Sequence, residues 1–225
     1  MGLPEYRKDA PENPEARFQE DILGILHQIR PEDIDTERAY EELCRLLPLM
    51  DAEAMERLAP VICGVIPELA PALHFDQRSP HHAYDLYTHI SKVVENTPPE
   101  LPLRWAALLH DTGKIPTFTT DATGRGHFYG HDKAGAEIAD GILRRLKAPE
   151  DLRQQVKLLI GLHMTRLGTD PEKLREWISR LGKETVRQLA LLQQADMGSK
   201  GVEDDTANAY FTRFWEVFRE LETEY

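Results

Sequence analysis

The stretch LRWAALLHDTGK, Leu103–Lys114, decides the fold. From Leu103 to Leu109 only Arg104 is polar, so the segment reads as a helix buried on most of its circumference. It then sets His110 and Asp111 side by side, followed by Thr112, Gly113 and Lys114. An imidazole and a carboxylate at the mouth of a core helix are costly to bury unless each has a partner. What those two groups hold is the functional question.

Outward from this helix the chain repeats the same design. Upstream, FDQRSPHH is a turn-rich link, a helix is predicted from about His82 to Glu95, and TPPELP breaks it. Downstream, KIPTFTTDATGRGHFYGHD reads as a long Gly/Thr loop, of the kind that carries function on a helical scaffold. Helices are predicted at about Lys133–Leu146, Glu150–His163, Pro171–Leu181, Glu184–Ala195 and Thr206–Glu222. Nearer the N-terminus, Ile22, Ile25, Leu26 and Ile29 recur at helical spacing up to about Arg30. DIDTERAYEELCRLLPL reads as a second helix with Tyr40, Leu43, Leu46 and Leu47 on its buried stripe. DAEAMERLAPVICGVIPEL gives one or two short helices broken at Pro60 and Pro67. No β alternation of useful length and no internal repeat is present, so the fold class is all-α. Residues 1–16, with three Pro and many charges, read as a loose tail, and residues 17–75 as a helical N-terminal region.

The 225 residues carry 41% apolar and 29% charged side chains, ordinary for a globular chain, with a formal net charge of −12. That balance argues against general nucleic-acid binding through a phosphate field, while leaving room for one RNA end or a nucleotide. The one clear basic cluster is Arg144, Arg145 and Lys147 with Arg153 and Lys157, either a solvated helix face or a contact to RNA. Cys44 and Cys63 stand in Leu-rich helical surroundings without zinc spacing and read as small buried hydrophobes. No signal peptide and no apolar run near the ~20 residues of a membrane span is apparent, so a cytoplasmic protein without membrane contact is expected. Oligomeric state is not legible.

Five helices each bring a His or an Asp to the place where the apolar stripe meets the surface: His89, His110-Asp111, His131, His163 and Asp196. Any one of them alone reads as a hydrogen-bonded core residue. Together they form an imidazole–carboxylate set suited to Mn, Fe, Co, Ni or Zn as the divalent ion. Such a site can lower the pKa of bound water toward neutrality. Lys114, three residues past Asp111, can offer a point charge to a phosphoryl oxygen, or be a solvated Lys at a helix end. Arg166 and, more weakly, Arg125 are candidates for substrate phosphate. His127 reads as a loop or substrate contact. His82 and Asp85 share a face with His89 and can orient it or cap its helix.

The order His89, His110-Asp111, Asp196 resembles the HD-domain superfamily of metal-dependent phosphohydrolases, and HDTGK matches its commonest core form. The resemblance implies an HD-domain helical bundle over residues 76–225 with its C-terminal helix, and one ion held by those four residues. His131 and His163 fall where two-ion members place extra ligands, with Asp111 bridging; Met164 stands where the richest two-ion pattern has a second His. RWAALLHDTGKIPTFTTDATGRGHFYGHDKAGAEIADGILRRLKAP, with GVIPEL, IDTERAYEELCRLL and HHAYDLYTHI upstream, is similar to the HD portion of bacterial CCA-adding tRNA nucleotidyltransferases and poly(A) polymerases, over roughly residues 18–200. The nucleotidyltransferase head of that family has no counterpart here: Asp33-Ile-Asp35 has the Asp-x-Asp letters but precedes a helix, and reads as its N-cap. The implied activity is hydrolysis of nucleotide or RNA-end phosphates, such as 2′,3′-cyclic phosphates, with Asp111 and Lys114 at the centre of catalysis. The other reading is a head-less module that binds RNA or a partner protein around a structural metal.

Overall fold

The computed structural model describes residues 35–202 and 204–222, all within the compact unit Asp35–Tyr225. The helix expected over residues 18–30 and the tail lie outside the described residues. At the centre is the helix read first, Leu101–Leu109. It begins with Pro102 in its first turn, where a missing N–H costs nothing, and Leu103–Leu109 are all buried. Burial of each Leu here stabilises the fold by roughly 2 kcal/mol. Its one cation is buried too: Arg104 donates from Nη1 to the Met50 carbonyl (2.8 Å) and from Nε to the Pro98 carbonyl (3.2 Å), which ties the core helix to the segments on either side.

In chain order the elements are α1 (Thr36–Leu46), a 3₁₀ turn (Leu47–Leu49), α2 (Ala52–Arg57), α3 (Ala59–Val65), a 3₁₀ turn (Pro67–Ala72), α4 (Leu86–Asn96), α5 (Leu101–Leu109), α6 (Lys114–Thr117), β1 (Thr119–Thr120), β2 (Gly126–His127), α7 (His131–Arg145), α8 (Glu150–Leu162), α9 (Pro171–Leu181), α10 (Lys183–Gly198) and α11 (Asp205–Glu222). Asp35 caps α1 by accepting from the Glu37 and Arg38 amides, as the Asp-x-Asp reading required; Asp33 is outside the described residues. Helix α5 packs against α4, α8 and α10, α7 and α8 form an antiparallel hairpin, and α11 closes over α9 and α10. The fold is all-α; its two-residue antiparallel strands pair Thr119 with His127 and Thr120 with Gly126 inside the Gly/Thr loop. Cys63 is buried and Cys44 half-buried, and neither forms a disulfide. Among the described residues no helix is long and apolar enough to cross a membrane.

Several boundaries differ from the sequence reading: α7 starts at His131 rather than about Lys133, α6 lies within the stretch read as a loop, and Pro60 falls in the first turn of α3 rather than at a break. Helix α4 starts at Leu86, not His82, because Asp85 stops the chain in an extended conformation and caps the helix through the Thr88 amide (2.9 Å). Helix α10 runs to Gly198 rather than Ala195, which places Asp196 inside its last turn.

Candidate metal centre

Five helix ends converge on one buried spot. His89 lies in the first turns of α4, His110 caps α5 with Asp111 next to it, His131 opens α7, and His163 caps α8. Asp196 enters from the end of α10. His89 and His110 have no exposure, and Asp111, His131, His163 and Asp196 are all buried.

The four imidazoles are oriented the same way. Nδ1 faces a backbone carbonyl in each: Ser199 for His89 (3.2 Å), Ala107 for His110 (2.8 Å), Phe128 for His131 (2.7 Å) and Ile160 for His163 (2.7 Å). A carbonyl only accepts, so Nδ1 carries the proton and Nε2 carries the lone pair. The Nε2 atoms of His89, His110 and His163 are buried without a hydrogen bond. Those of His89 and His110 face carboxylates instead. Asp111 Oδ2 lies 3.1 Å from His110 Nε2 and 3.4 Å from His89 Nε2, and Asp196 Oδ1 lies 3.2 Å from His89 Nε2. Asp111 Oδ1 faces His131 Nε2 at 3.6 Å. Lone pairs set against carboxylates repel unless a proton or a metal ion stands between them. The donor set is therefore complementary to a divalent ion, with backbone carbonyls fixing the tautomers from behind. Among the described residues two such groups occur, His89/His110/Asp111 and Asp111/His131/His163, and Asp111 belongs to both.

The electrostatics agree. Burial pulls the His89 pKa down, but Asp111 and Asp196 outweigh it and push the pKa up to about 9, so without a metal ion a proton on Nε2 supplies the positive charge that this position demands. Burial works against ionisation of Asp111, and His110 and Lys114 outweigh it; Asp196 is held low in the same sense by His89 and Lys200. Burial, reinforced by His110, lowers His163 to about 4, so its imidazole stays neutral and free to donate its lone pair.

The tight turn after α5 sets the geometry. A Cβ on Gly113 would lie 2.1 Å from the His131 carbonyl and 2.5 Å from the Gly135 amide, so only glycine lets α7 dock against the dyad. Gly130, at φ +76°, turns the chain into α7 directly before His131.

Lys114 is buried, so it is not the solvated Lys of the alternative reading. Its ammonium pairs in charge with Asp111 Oδ2 (2.8 Å), donates to Gln77 Oε1 (2.8 Å) and lies 3.4 Å from His82 Nε2. His82 is outside the helix, yet its ring still meets that of His89 edge-on at 5.4 Å. Burial and Lys114 lower its pKa to about 3, which keeps it neutral. Asp85 is the α4 cap. His127 sits in β2 with both ring nitrogens engaged in the loop, by Asp121 (3.0 Å) and the Tyr129 hydroxyl (3.3 Å). Arg125 meets His81. Arg166 lies over the Tyr210 ring. The basic cluster is neutralised: Arg144 and Arg153 pair with Asp140, Arg145 with Glu68, Lys147 with Glu37 and Lys157 with Glu137.

Two functional positions had no sequence signal. Gln77, in a turn-rich link, is buried and holds Lys114. Ser199 orients His89 through its carbonyl, while its hydroxyl takes part in hydrogen bonds with Ala195 and Asn96. A backbone carbonyl leaves no trace in residue type.

Comparison with known proteins matches this architecture. The HD domain profile covers residues 82–197, a span that contains every candidate ligand. The A-adding tRNA nucleotidyltransferase of Deinococcus radiodurans is 36% identical over 170 residues, 71% of this chain and 38% of that protein. The CC-adding tRNA nucleotidyltransferase of Thermus thermophilus is 34% identical over 208 residues, 87% of this chain and 45% of that protein. The multifunctional CCA protein of Azoarcus sp. is 36% identical over 137 residues, 56% of this chain and 32% of that protein. The chain thus spans less than half the length of these curated relatives, in keeping with likeness to their HD portion.

Proposed function

The chain belongs to the HD-domain family, and from that premise we propose that it is a divalent-metal-dependent phosphohydrolase or phosphodiesterase acting on nucleotides or RNA-end phosphates, 2′,3′-cyclic phosphates among them. The observation that carries this reading is the set of buried imidazoles whose Nε2 lone pairs face the Asp111 and Asp196 carboxylates without a hydrogen-bond partner. His89, His110, Asp111 and Asp196 would hold one ion, and Asp111, His131 and His163 a second. The metal supplies charge neutralisation on the phosphoryl oxygens and a water acidic enough to attack phosphorus near neutral pH.

The remaining chemistry belongs to the chain. The carbonyls of Ser199, Ala107, Phe128 and Ile160 lock the imidazoles as acceptors at Nε2. Lys114 keeps Asp111 ionised and in place, with Gln77 and His82 fixing the ammonium; to touch a substrate oxygen it gives up the His82 neighbour. Lys200, 4.0 Å from Asp196 Oδ1, stands where a phosphate oxygen would meet it. The relatives' names make RNA ends a natural substrate class. The ion-paired state of Arg144, Arg145, Lys147, Arg153 and Lys157 speaks against a broad RNA-binding face, as does the acidic net charge.

The test is metal content of the purified protein by elemental analysis, run with hydrolysis of bis(p-nitrophenyl) phosphate, p-nitrophenyl phosphate and 2′,3′-cyclic AMP under added Mn²⁺, Ni²⁺ or Co²⁺. Bound metal with turnover, both lost in Asp111→Ala while helix content survives, is the expected result. Wild-type turnover by Asp111→Ala with its metal retained would overturn the assignment. Absence of metal and turnover after reconstitution would return the chain to the binding-module reading.

A further inference from the structure

The metal centre opens to the surface through a cleft of about 250 Å³ between the end of α8, the end of α10 and the start of α11. Its inner end is lined by His163 and Asp196, and its outer part by Arg166, Lys200, Thr206 and Tyr210. Among the described residues, Arg166 is the one arginine that lines this cleft. The cations of the basic cluster and Arg187 are paired with carboxylates, yet among the described residues Arg166 has none. Its guanidinium carbon lies 4.8 Å from the Tyr210 ring centroid instead. Tyr210 is itself fixed: its hydroxyl accepts from the Gly168 amide (3.1 Å), and its ring meets Phe211 edge-on at 5.0 Å. A guanidinium stacked on a fixed ring keeps its in-plane N–H edge free to donate to two oxygens of a phosphate, at little entropic cost. The acidic group at the mouth, Asp204, is occupied in capping α11 through the Ala207 amide (3.0 Å).

We propose that Arg166, held on Tyr210, is a specificity residue that binds a second phosphate of the substrate, one nucleotide unit away from the phosphate at the metal centre. The inference rests on the phosphohydrolase reading and narrows its substrate class to nucleotide ends that carry an adjacent phosphate. At about 250 Å³ the cleft lies just under the ~300–1,000 Å³ of small-molecule pockets, so it takes one nucleotide unit at most.

The experiment has a kinetic and a binding arm. The first compares kcat/KM for adenosine 2′,3′-cyclic phosphate, the same compound with a 5′-phosphate, and a dinucleotide ending in a 2′,3′-cyclic phosphate. The second compares binding of adenosine 3′,5′-bisphosphate and 5′-AMP by calorimetry. A charge-assisted phosphate contact predicts that the wild type prefers the two-phosphate compounds by about tenfold to hundredfold. Arg166→Ala should bring that ratio to within about twofold in both arms, with Arg166→Lys between. Preference for the dinucleotide as well as the 5′-phosphorylated monomer identifies an RNA end; preference for the monomer alone identifies a free nucleotide. An Arg166→Ala protein that keeps the full preference, or a wild type that has none, overturns the subsite even when cyclic phosphates are hydrolysed. Arg166-dependent binding without turnover on any substrate upholds the subsite and overturns the phosphohydrolase reading.

Discussion

Gly113→Ala tests how the centre is assembled. The backbone at Gly113 is unstrained for alanine, with φ −73°, so the whole effect comes from the added Cβ. That atom would sit 2.1 Å from the His131 carbonyl, whereas ordinary contact begins at 3.4 Å, so α7 must retreat by roughly 1.3 Å. Carried to His131, the retreat widens its 3.6 Å separation from Asp111 Oδ1 to roughly 4.9 Å. Two ligands at ~2.2 Å from one ion can span at most ~4.4 Å, so Asp111 and His131 can no longer share one. The expected outcome is loss of one metal equivalent by elemental analysis and a fall of roughly 10²-fold in phosphodiester hydrolysis. Backbone overpacking of about 3 kcal/mol should lower the melting temperature by roughly 6–12 °C. Gly141, in the middle of α7, is the control: its Cβ would meet nothing within 4 Å, so Gly141→Ala should raise stability by about 0.5–1 kcal/mol. A Gly113→Ala protein with wild-type melting and an undiminished metal content would refute the docking argument.

Three further outcomes are expected. Lys114→Met should retain metal, because the ammonium is not a ligand, while kcat falls by roughly 10²-fold; loss of metal equal to that of Asp111→Ala would show that its position beside Asp111 has been misread. Asp140→Asn removes the carboxylate that pairs with Arg153 and Arg144, and should cost about 1.5–3 kcal/mol in urea denaturation at pH 7. Burial works to raise the Asp140 pKa, but Arg153 and the neighbouring cations lower it overall. A depressed folded-state pKa contributes stability above the unfolded value of ~3.9 and loses it as pH falls through the folded one, so the gap to wild type should be constant above about pH 5 and narrow below about pH 4. A gap that widens on acidification would contradict that sign. Adding Mn²⁺ at about 100 times its Kd should stabilise the fold by ~2.7 kcal/mol and raise the melting temperature by roughly 5–10 °C, reversed by chelator; an unmoved transition in differential scanning fluorimetry would deny the ion a place in the folded core.

The amino-acid sequence by itself determined most of the helices and marked the candidate ligands. Apolar spacing is a local property, so α5, α8 and α9 could be read within a residue or so, and the apolar runs of α5 and α8 visibly ended in His110-Asp111 and His163. Residue type also limited the chemistry, since imidazole with carboxylate on helix ends suits few tasks besides holding a divalent ion. Tertiary structure decided what depends on groups distant in the chain. Only docking of α7 on the dyad explains why position 113 is glycine. Only the Ser199 carbonyl, 110 residues from His89, fixes that ring's tautomer. The acids that neutralise Arg145 and Lys147 lie 77 and 110 residues away, so a basic run in sequence became an ordinary salt-bridged surface in the fold. Lys114, readable in sequence as a phosphate-directed charge or as a solvated helix-end cation, is buried, because the link carrying Gln77 and His82 folds over it. Hydrogen bonding and charge compensation act through space at a few ångströms, and spacing along the chain does not record which partners come within that reach.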